Sequence, residues 1–340
     1  MGERPPHTRT VRHLAVVASV LTALSVADAR PAPPPEPAPA GEKADFWRNL
    51  VEPHGEEVRR IVQLAEQFIR NGDIALFGDY DPTGAQRLKS YRSAYGMLTY
   101  ARKRSPENID VLRMLGQTAD EIGKTREAID ALETAVRLVG PDKAGVEVTG
   151  RLGAIYLRLG RVDDAIRYLR LGQTGIVQSK SITATTLVHL SNALALRGQT
   201  GEAIDVLVNA LPASVPYYAN EISLVSFALA VQYDRDEQRG AAFDVLDHMQ
   251  TQLTSSLGAT VQNALGVMRF APAEDQHYYL GLLYEVMGNY TEARAEWALY
   301  AAADLPYRDR ALEHIAAIDA QVRAPAAQTT VPRRYRRPVP

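Results

Sequence analysis

The chain of 340 residues contains no cysteine. That absence removes disulfides, a thiol nucleophile and any lipid attachment at a cysteine following a leader, so a lipoprotein is excluded. It is silent on the redox compartment. Catalytic signatures are missing too. His54, His189, His248, His277 and His314 include no pair at H-x-x-x-H spacing, and no G-x-S-x-G elbow occurs. Neither a zinc site nor an activated serine is indicated, and no enzyme activity, metal or cofactor is expected. DYDPTG at 79–84 begins like a calcium loop, but Ser90 stands where the bidentate glutamate belongs and Pro82 interrupts it. It reads as an acidic loop leading into a helix. Long apolar runs are also absent. The uncharged, mostly apolar stretch at 14–27 spans 14 residues, short of the ~20 a membrane helix needs.

What is present is a recurrent turn. EIGKTREA at 121–128 carries the Gly-Lys-Thr that closes a phosphate-binding loop. Such a loop needs a second glycine five residues before Gly123 and a preceding strand. Thr118 occupies that place, and Val111, Leu112, Leu115, Ala119 and Ile122 have helical spacing. The same frame, Gly and then Ala five residues on, recurs as GRVDDA at 160–165, GQTGEA at 198–203 and GNYTEA at 288–293. A glycine that ends one helix in the left-handed region, followed by polar residues that start the next, explains all four copies.

Around each turn the pattern extends. The copies read Leu112, Leu115-Gly116, Ala119, Gly123, Ala128, Leu132; then Leu152-Gly153, Tyr156, Gly160, Ala165, Leu169; then Leu187, Leu190-Ser191, Leu194, Gly198, Ala203, Leu207; and last Leu280-Gly281, Tyr284, Gly288, Ala293, Trp297. This resembles the tetratricopeptide repeat, a helix–turn–helix unit of ~34 residues. Two weaker copies join them. Leu229-Ala230, Tyr233, Ala242 and Leu246 fit a unit whose turn glycine has become Glu237, and Ala94, Leu98, Ala101 and Pro106 fit the second helix of an earlier one. The resemblance covers roughly residues 55–323 and implies an all-α right-handed solenoid of about five to six repeats. A capping helix is expected at residues 309–322. The segment between Met249 and Pro272 is longer than an ordinary inter-repeat turn; it reads as a helix extension or as an insertion on a binding face.

In this family the first helix of each unit lines a concave groove. Carried over by position, the resemblance implies a partner-binding surface of Asp110, Arg113, Gln117, Asp120, Glu147, Leu157, Val188, Asn192, Phe227, Val231, Asp234, Asp275, Tyr278, Leu282 and Glu285, with Gly150 and Ala154 between. Such a groove has an apolar middle and acidic ends, and suits a peptide carrying basic residues. Packing between adjacent helices is the other reading of its apolar members.

The ends differ from the body. Residues 1–29 read as a secretory signal: Arg4, Arg9 and Arg12, then the short apolar run, then Ala27-Asp28-Ala29. An uncleaved inner-membrane anchor is the alternative. A Pro-rich linker at 30–45, N-terminal helices at 46–106 and a repeat array at 107–323 follow. The tail, 324–340, is expected to be disordered and carries Arg333, Arg334, Tyr335, Arg336 and Arg337 without an acidic residue, whereas residues 41–323 count to a net charge of −7. Nucleic acid is a disfavoured partner for so acidic a body. The expectation is a non-catalytic scaffold in the bacterial envelope, periplasmic or secreted, that binds a protein or peptide in its groove. The alternative is a module whose tail contacts cell wall or an anionic polymer. The basic tail also matches an acidic groove and is expected to compete for it.

Overall fold

The computed structural model describes residues 54–76, 84–172, 181–211, 220–252, 257–266 and 268–323. The expected signal and linker, residues 46–53, most of DYDPTG and the basic tail lie outside the described residues. Among those described there are fourteen α-helices and no strand. They are α1 (Gly55–Leu76), α2 (Ala85–Arg104), α3 (Ile109–Glu121), α4 (Thr125–Val139), α5 (Val146–Arg158), α6 (Val162–Leu171) and α7 (Ser181–Leu196). The remainder are α8 (Thr200–Ala210), α9 (Asn220–Arg235), α10 (Arg239–Gln252), α11 (Leu257–Gly266), α12 (Asp275–Val286), α13 (Tyr290–Ala301) and α14 (Arg308–Arg323). α1/α2, α3/α4, α5/α6, α7/α8, α9/α10 and α12/α13 pack as antiparallel pairs, and the first helices α5, α7 and α9 pack on one another in sequence. The expected solenoid and its closing helix are present.

The repeated turn sets this architecture. Gly123, Gly160, Gly198 and Gly288 have φ of 80°, 71°, 81° and 76°. In each, the amide after the glycine donates back to a carbonyl of the last helical turn: Lys124 to Ala119, Arg161 to Tyr156, Gln199 to Leu194 and Asn289 to Tyr284. Carbonyls that the helix end would leave unpaired are thereby satisfied. Glu237 keeps the same geometry, with φ 59° and a Gln238-to-Tyr233 bond, although a side chain is strained there. Glu237→Gly is therefore expected to stabilise the protein by about 1 kcal/mol. Urea denaturation measures this, and a loss of stability would contradict the strain argument.

Within α3/α4, α5/α6 and α12/α13 the backbones approach closely at a glycine. A Cβ on Gly116 would stand 2.4 Å from Leu132, on Gly153 2.3 Å from Leu169, and on Gly281 2.7 Å from Trp297. The large residue of the second helix fills the space that the glycine leaves.

The long segment after Met249 forms neither a plain helix extension nor an ordinary loop. It contains α11, which packs on α9, and then a strap, residues 268–274, that leads into α12 through a cis Ala271–Pro272 bond. Arg269 of the strap pairs with Asp120 at 3.6 Å and with Glu121, at the far end of α3 in the first unit of the array. The insertion thus runs along the inner side of the first helices.

Candidate functional site

The expected groove divides into two unlike halves. In the C-terminal half it is filled. Phe227 and Tyr278 are fully buried, and Val188, Asn192, Val231, Asp234, Asp275 and Leu282 are buried with them. The C-terminal units close over α7 and α9. The Tyr279 hydroxyl donates to Asn192 Oδ1 at 2.9 Å, and the Tyr307 hydroxyl to the Ala195 carbonyl at 2.8 Å. Phe270 of the strap packs on Tyr279, with ring centroids 5.0 Å apart. Arg235 forms a buried ion pair with Asp275 and lies over the rings of Tyr278 and Tyr307. These positions form a closed core of apolar side chains and paired polar groups rather than an open floor, which corrects the expectation of an accessible apolar middle. Leu157, one unit earlier, is buried as well.

Asp234 organises this core. It accepts from Tyr278 at 2.7 Å, Arg310 at 2.6 Å and His314 at 2.9 Å. Burial opposes its charge, yet His314 and Arg310 hold the carboxyl well below the usual carboxylate range. Glu285 accepts from the Trp297 indole at 3.0 Å and from His314 Nδ1 at 2.7 Å. It is therefore a structural partner rather than a flank of the groove.

The N-terminal half is open. A cavity of about 380 Å³ is lined by α1, the start of α2, the first helices α3, α5 and α7, and the strap. Of the expected residues, Arg113, Gln117, Asp120 and Glu147 line it, as do Gly150 and Ala154. Arg113 pairs with Glu147 at 2.9 Å, and with the exposed Asp110 at 3.7 Å.

The centre of the cavity is cationic, which the sequence reading did not foresee. Asp120 and Glu121 sit side by side at the end of α3. Arg151 reaches both at 3.1 Å. Arg87 pairs with Glu121 at 2.6 Å, Arg158 pairs with Asp120, and Arg269 reaches both. Burial, together with the neighbouring Arg269 and Arg151 charges, pushes the Arg158 guanidinium below its ordinary value even with Asp120 beside it. His189 on α7 also lines the cavity, is 6% exposed, and has no hydrogen-bond partner at Nδ1. Burial, and then the charge of Arg158, lowers its pKa to about 4. Arg151 and Arg158 were legible in one respect: seven residues apart, they share a helix face with Ala154 between them. Arg87 and Arg269 carry no repeat signal.

Among the described residues no cluster of three or more His, Asp or Glu is arranged to hold a metal, and no helix is long and apolar enough to cross a membrane. What the site offers is a charged recess with a fixed array of donors.

The comparison with family models agrees with the architecture. Residues 113–174 match the family model described as tetratricopeptide repeat. Among solved structures, PilF of Pseudomonas aeruginosa is 12% identical with a TM-score of 0.45, covering 75% of this chain and 98% of its own. PilW, described as a widely conserved type IV pilus biogenesis factor, is 17% identical with a TM-score of 0.45, covering 75% and 97%. MamA is 18% identical with a TM-score of 0.39, covering 48% and 89%. No curated protein matches the chain in sequence.

Proposed function

We propose that this tetratricopeptide-repeat array is a non-catalytic scaffold that holds a segment of a partner protein in the cavity of its N-terminal half. The observation that carries this reading is the asymmetry of the inner surface. Its C-terminal half is sealed by the chain's own α12–α14, while α1, α3, α5 and α7 leave a recess of about 380 Å³. A recess of that size takes a few side chains of an extended or helical segment, a mode of recognition that rigid helical arrays support. The setting proposed is the bacterial envelope, periplasmic or secreted. The support for it is the sequence of residues 1–29, with its arginines, apolar run and A-x-A ending.

Filling the recess tests the reading. Ala154 lines it and is half-buried, so Ala154→Trp places a large side chain there without removing any core contact. Chemical cross-linking in an envelope extract, read by mass spectrometry, is expected to capture a partner with the natural chain. Capture should fall by roughly tenfold or more in the variant, a loss of at least 1.4 kcal/mol. Circular dichroism must report an unchanged helix content. Equal capture by both proteins would remove the cavity from the function. Phe227 and Tyr278 cannot serve as probes, because truncating residues this buried tests folding rather than binding. If the only retention is on cell-wall polymer, and it is lost when Arg333, Arg334, Arg336 and Arg337 become alanine, the function moves to the tail.

A further inference from the structure

We infer that the cavity selects a partner segment carrying acidic side chains, whose carboxylates insert among Arg151, Arg158 and Arg269 and hydrogen-bond His189. The inference rests on the scaffold reading and names the chemistry of the segment held.

The charge inventory carries it. Asp120 and Glu121 are the acidic groups at the centre of the recess. Among the described residues, and with Arg87 left aside, three guanidinium groups face these two carboxylates. The other acids of the lining are engaged elsewhere. Glu147 pairs with Arg113, Glu66 pairs with Arg70 at the rim, and Asp73, which accepts from the Tyr91 hydroxyl and keeps its charge, is set against Arg87 in the count. The centre therefore holds an excess of positive charge in a partly desolvated place, which is costly to maintain unless a further anion shares it. Arg158 is the guanidinium that feels this most, lying beside Arg151 and Arg269 with a single carboxylate partner among the described residues.

A second observation points the same way. His189 is a buried ring whose Nδ1 finds no partner, an arrangement natural proteins rarely leave without use. As placed, Nδ1 is closed to solvent, so it can donate to an incoming oxygen when a turn of the ring exposes it with the proton there. Guanidinium forks bind planar carboxylates through paired N–H groups, so arginine rather than lysine around the recess suits that acceptor. A basic segment would instead compete with three arginines for Asp120 and Glu121. This reverses the charge expected from the sequence, and it removes the argument for the chain's own basic tail as the occupant.

Three blocked peptides of one length test it, each acetylated and amidated so that no terminal charge contributes: (Glu-Ala)4, (Gln-Ala)4 and (Lys-Ala)4. The readout is the His189 ring signal in NMR spectra of the full chain. The Glu peptide is expected to shift that signal and raise the His189 pKa, because an anion beside the ring opposes the effect of Arg158. The Gln and Lys peptides should leave both unchanged. Arg158→Gln should weaken binding of the Glu peptide by at least tenfold, while Arg158→Lys retains part of it. Asp120 keeps Arg151 and Arg269 in the variant, so folding is expected to survive.

A Lys peptide that binds as well, a Glu peptide that binds equally to Arg158→Gln, or no His189 shift with the Glu peptide would each overturn the inference. Inorganic phosphate is the fourth probe. Saturation by phosphate that the Glu peptide cannot displace would assign the recess to a small anion and overturn the peptide assignment. Failure here with partner capture still blocked by Ala154→Trp would leave the scaffold reading standing with the wrong charge. Failure of both would remove the site.

Discussion

Replacing Asp234 by alanine is expected to destabilise the protein by about 3–5 kcal/mol, as is typical when one partner of a buried charge network is removed. The side chain is buried on α9 and receives hydrogen bonds from three residues on two other helices, Tyr278 on α12 and Arg310 and His314 on α14. Alanine leaves the phenol without its acceptor. Among the described residues Arg310 keeps Glu313, at 2.7 Å, and His314 keeps Glu285. α13 is tied in as well, since Trp297 stacks on His314 with ring centroids 4.2 Å apart. One carboxylate thus couples the last three helices to the body. In a repeat array each unit is stabilised mainly by its neighbours, so the damage should be local. Hydrogen exchange in the variant is expected to show lost protection across α12–α14 before α3–α5. A stability loss below about 1 kcal/mol would place Asp234 among weak pairs. Uniform loss of protection along the chain would contradict the coupling argument.

The contrast between Asp234 and Gly123 marks what the sequence could reveal. Gly123, Gly160, Gly198 and Gly288 are local signals: each turn is built from residues within one helix end of each other. Periodic spacing therefore exposed them, and it exposed Glu237 as the same turn without its glycine. The groove positions were carried over by the same periodicity, and they do lie on the first helices of their units. Whether they are open depends on contacts that no repeat period encodes. Tyr279 meets Asn192 across 87 residues, Tyr307 meets Ala195 across 112, and Arg269 meets Glu121 across 148. Arg269 and Tyr307 belong to the insertion and to the closing segment, the parts of the chain least like a repeat, while Tyr279 lies on a repeat helix, α12, that follows the insertion. These contacts convert the C-terminal half of an expected groove into core and line the N-terminal half with an arginine. Asp234 and Asp275 looked like acidic flanks because their cationic partners, Arg310 and Arg235, are not groove positions in the pattern.

Stability is expected to peak near pH 6.5 and to fall by about 3 kcal/mol on each side, because two buried histidines are shifted in opposite directions from 6.5, one to about 4 and one to about 9. On the acid side the group is His189. Burial and Arg158 keep it neutral in the folded chain, whereas the unfolded chain takes up its proton below 6.5. Stability should therefore decline as pH falls from 6.5 to about 4. On the alkaline side the group is His314. Burial opposes its charge, but the hydrogen bonds and charges of Asp234 and Glu285 outweigh it and raise its pKa to about 9. Its contribution is complete below 6.5 and is lost as pH rises through 9. Arg310 on its own helix, Tyr278 on α12 and Trp297 on α13 complete its surroundings, and the tyrosine is held neutral well above its ordinary value. Urea denaturation between pH 4 and 9.5 reads both limbs. His314→Gln should flatten the alkaline limb alone and His189→Gln the acid limb alone. A stability curve that stays level between pH 6.5 and 9 would mean that His314 is not charged in the folded protein. The two limbs also separate architecture from recognition, since His314 belongs to the sealed half and His189 to the open one. An acidic segment bound beside His189 should lift the acid limb and leave the alkaline limb where it is.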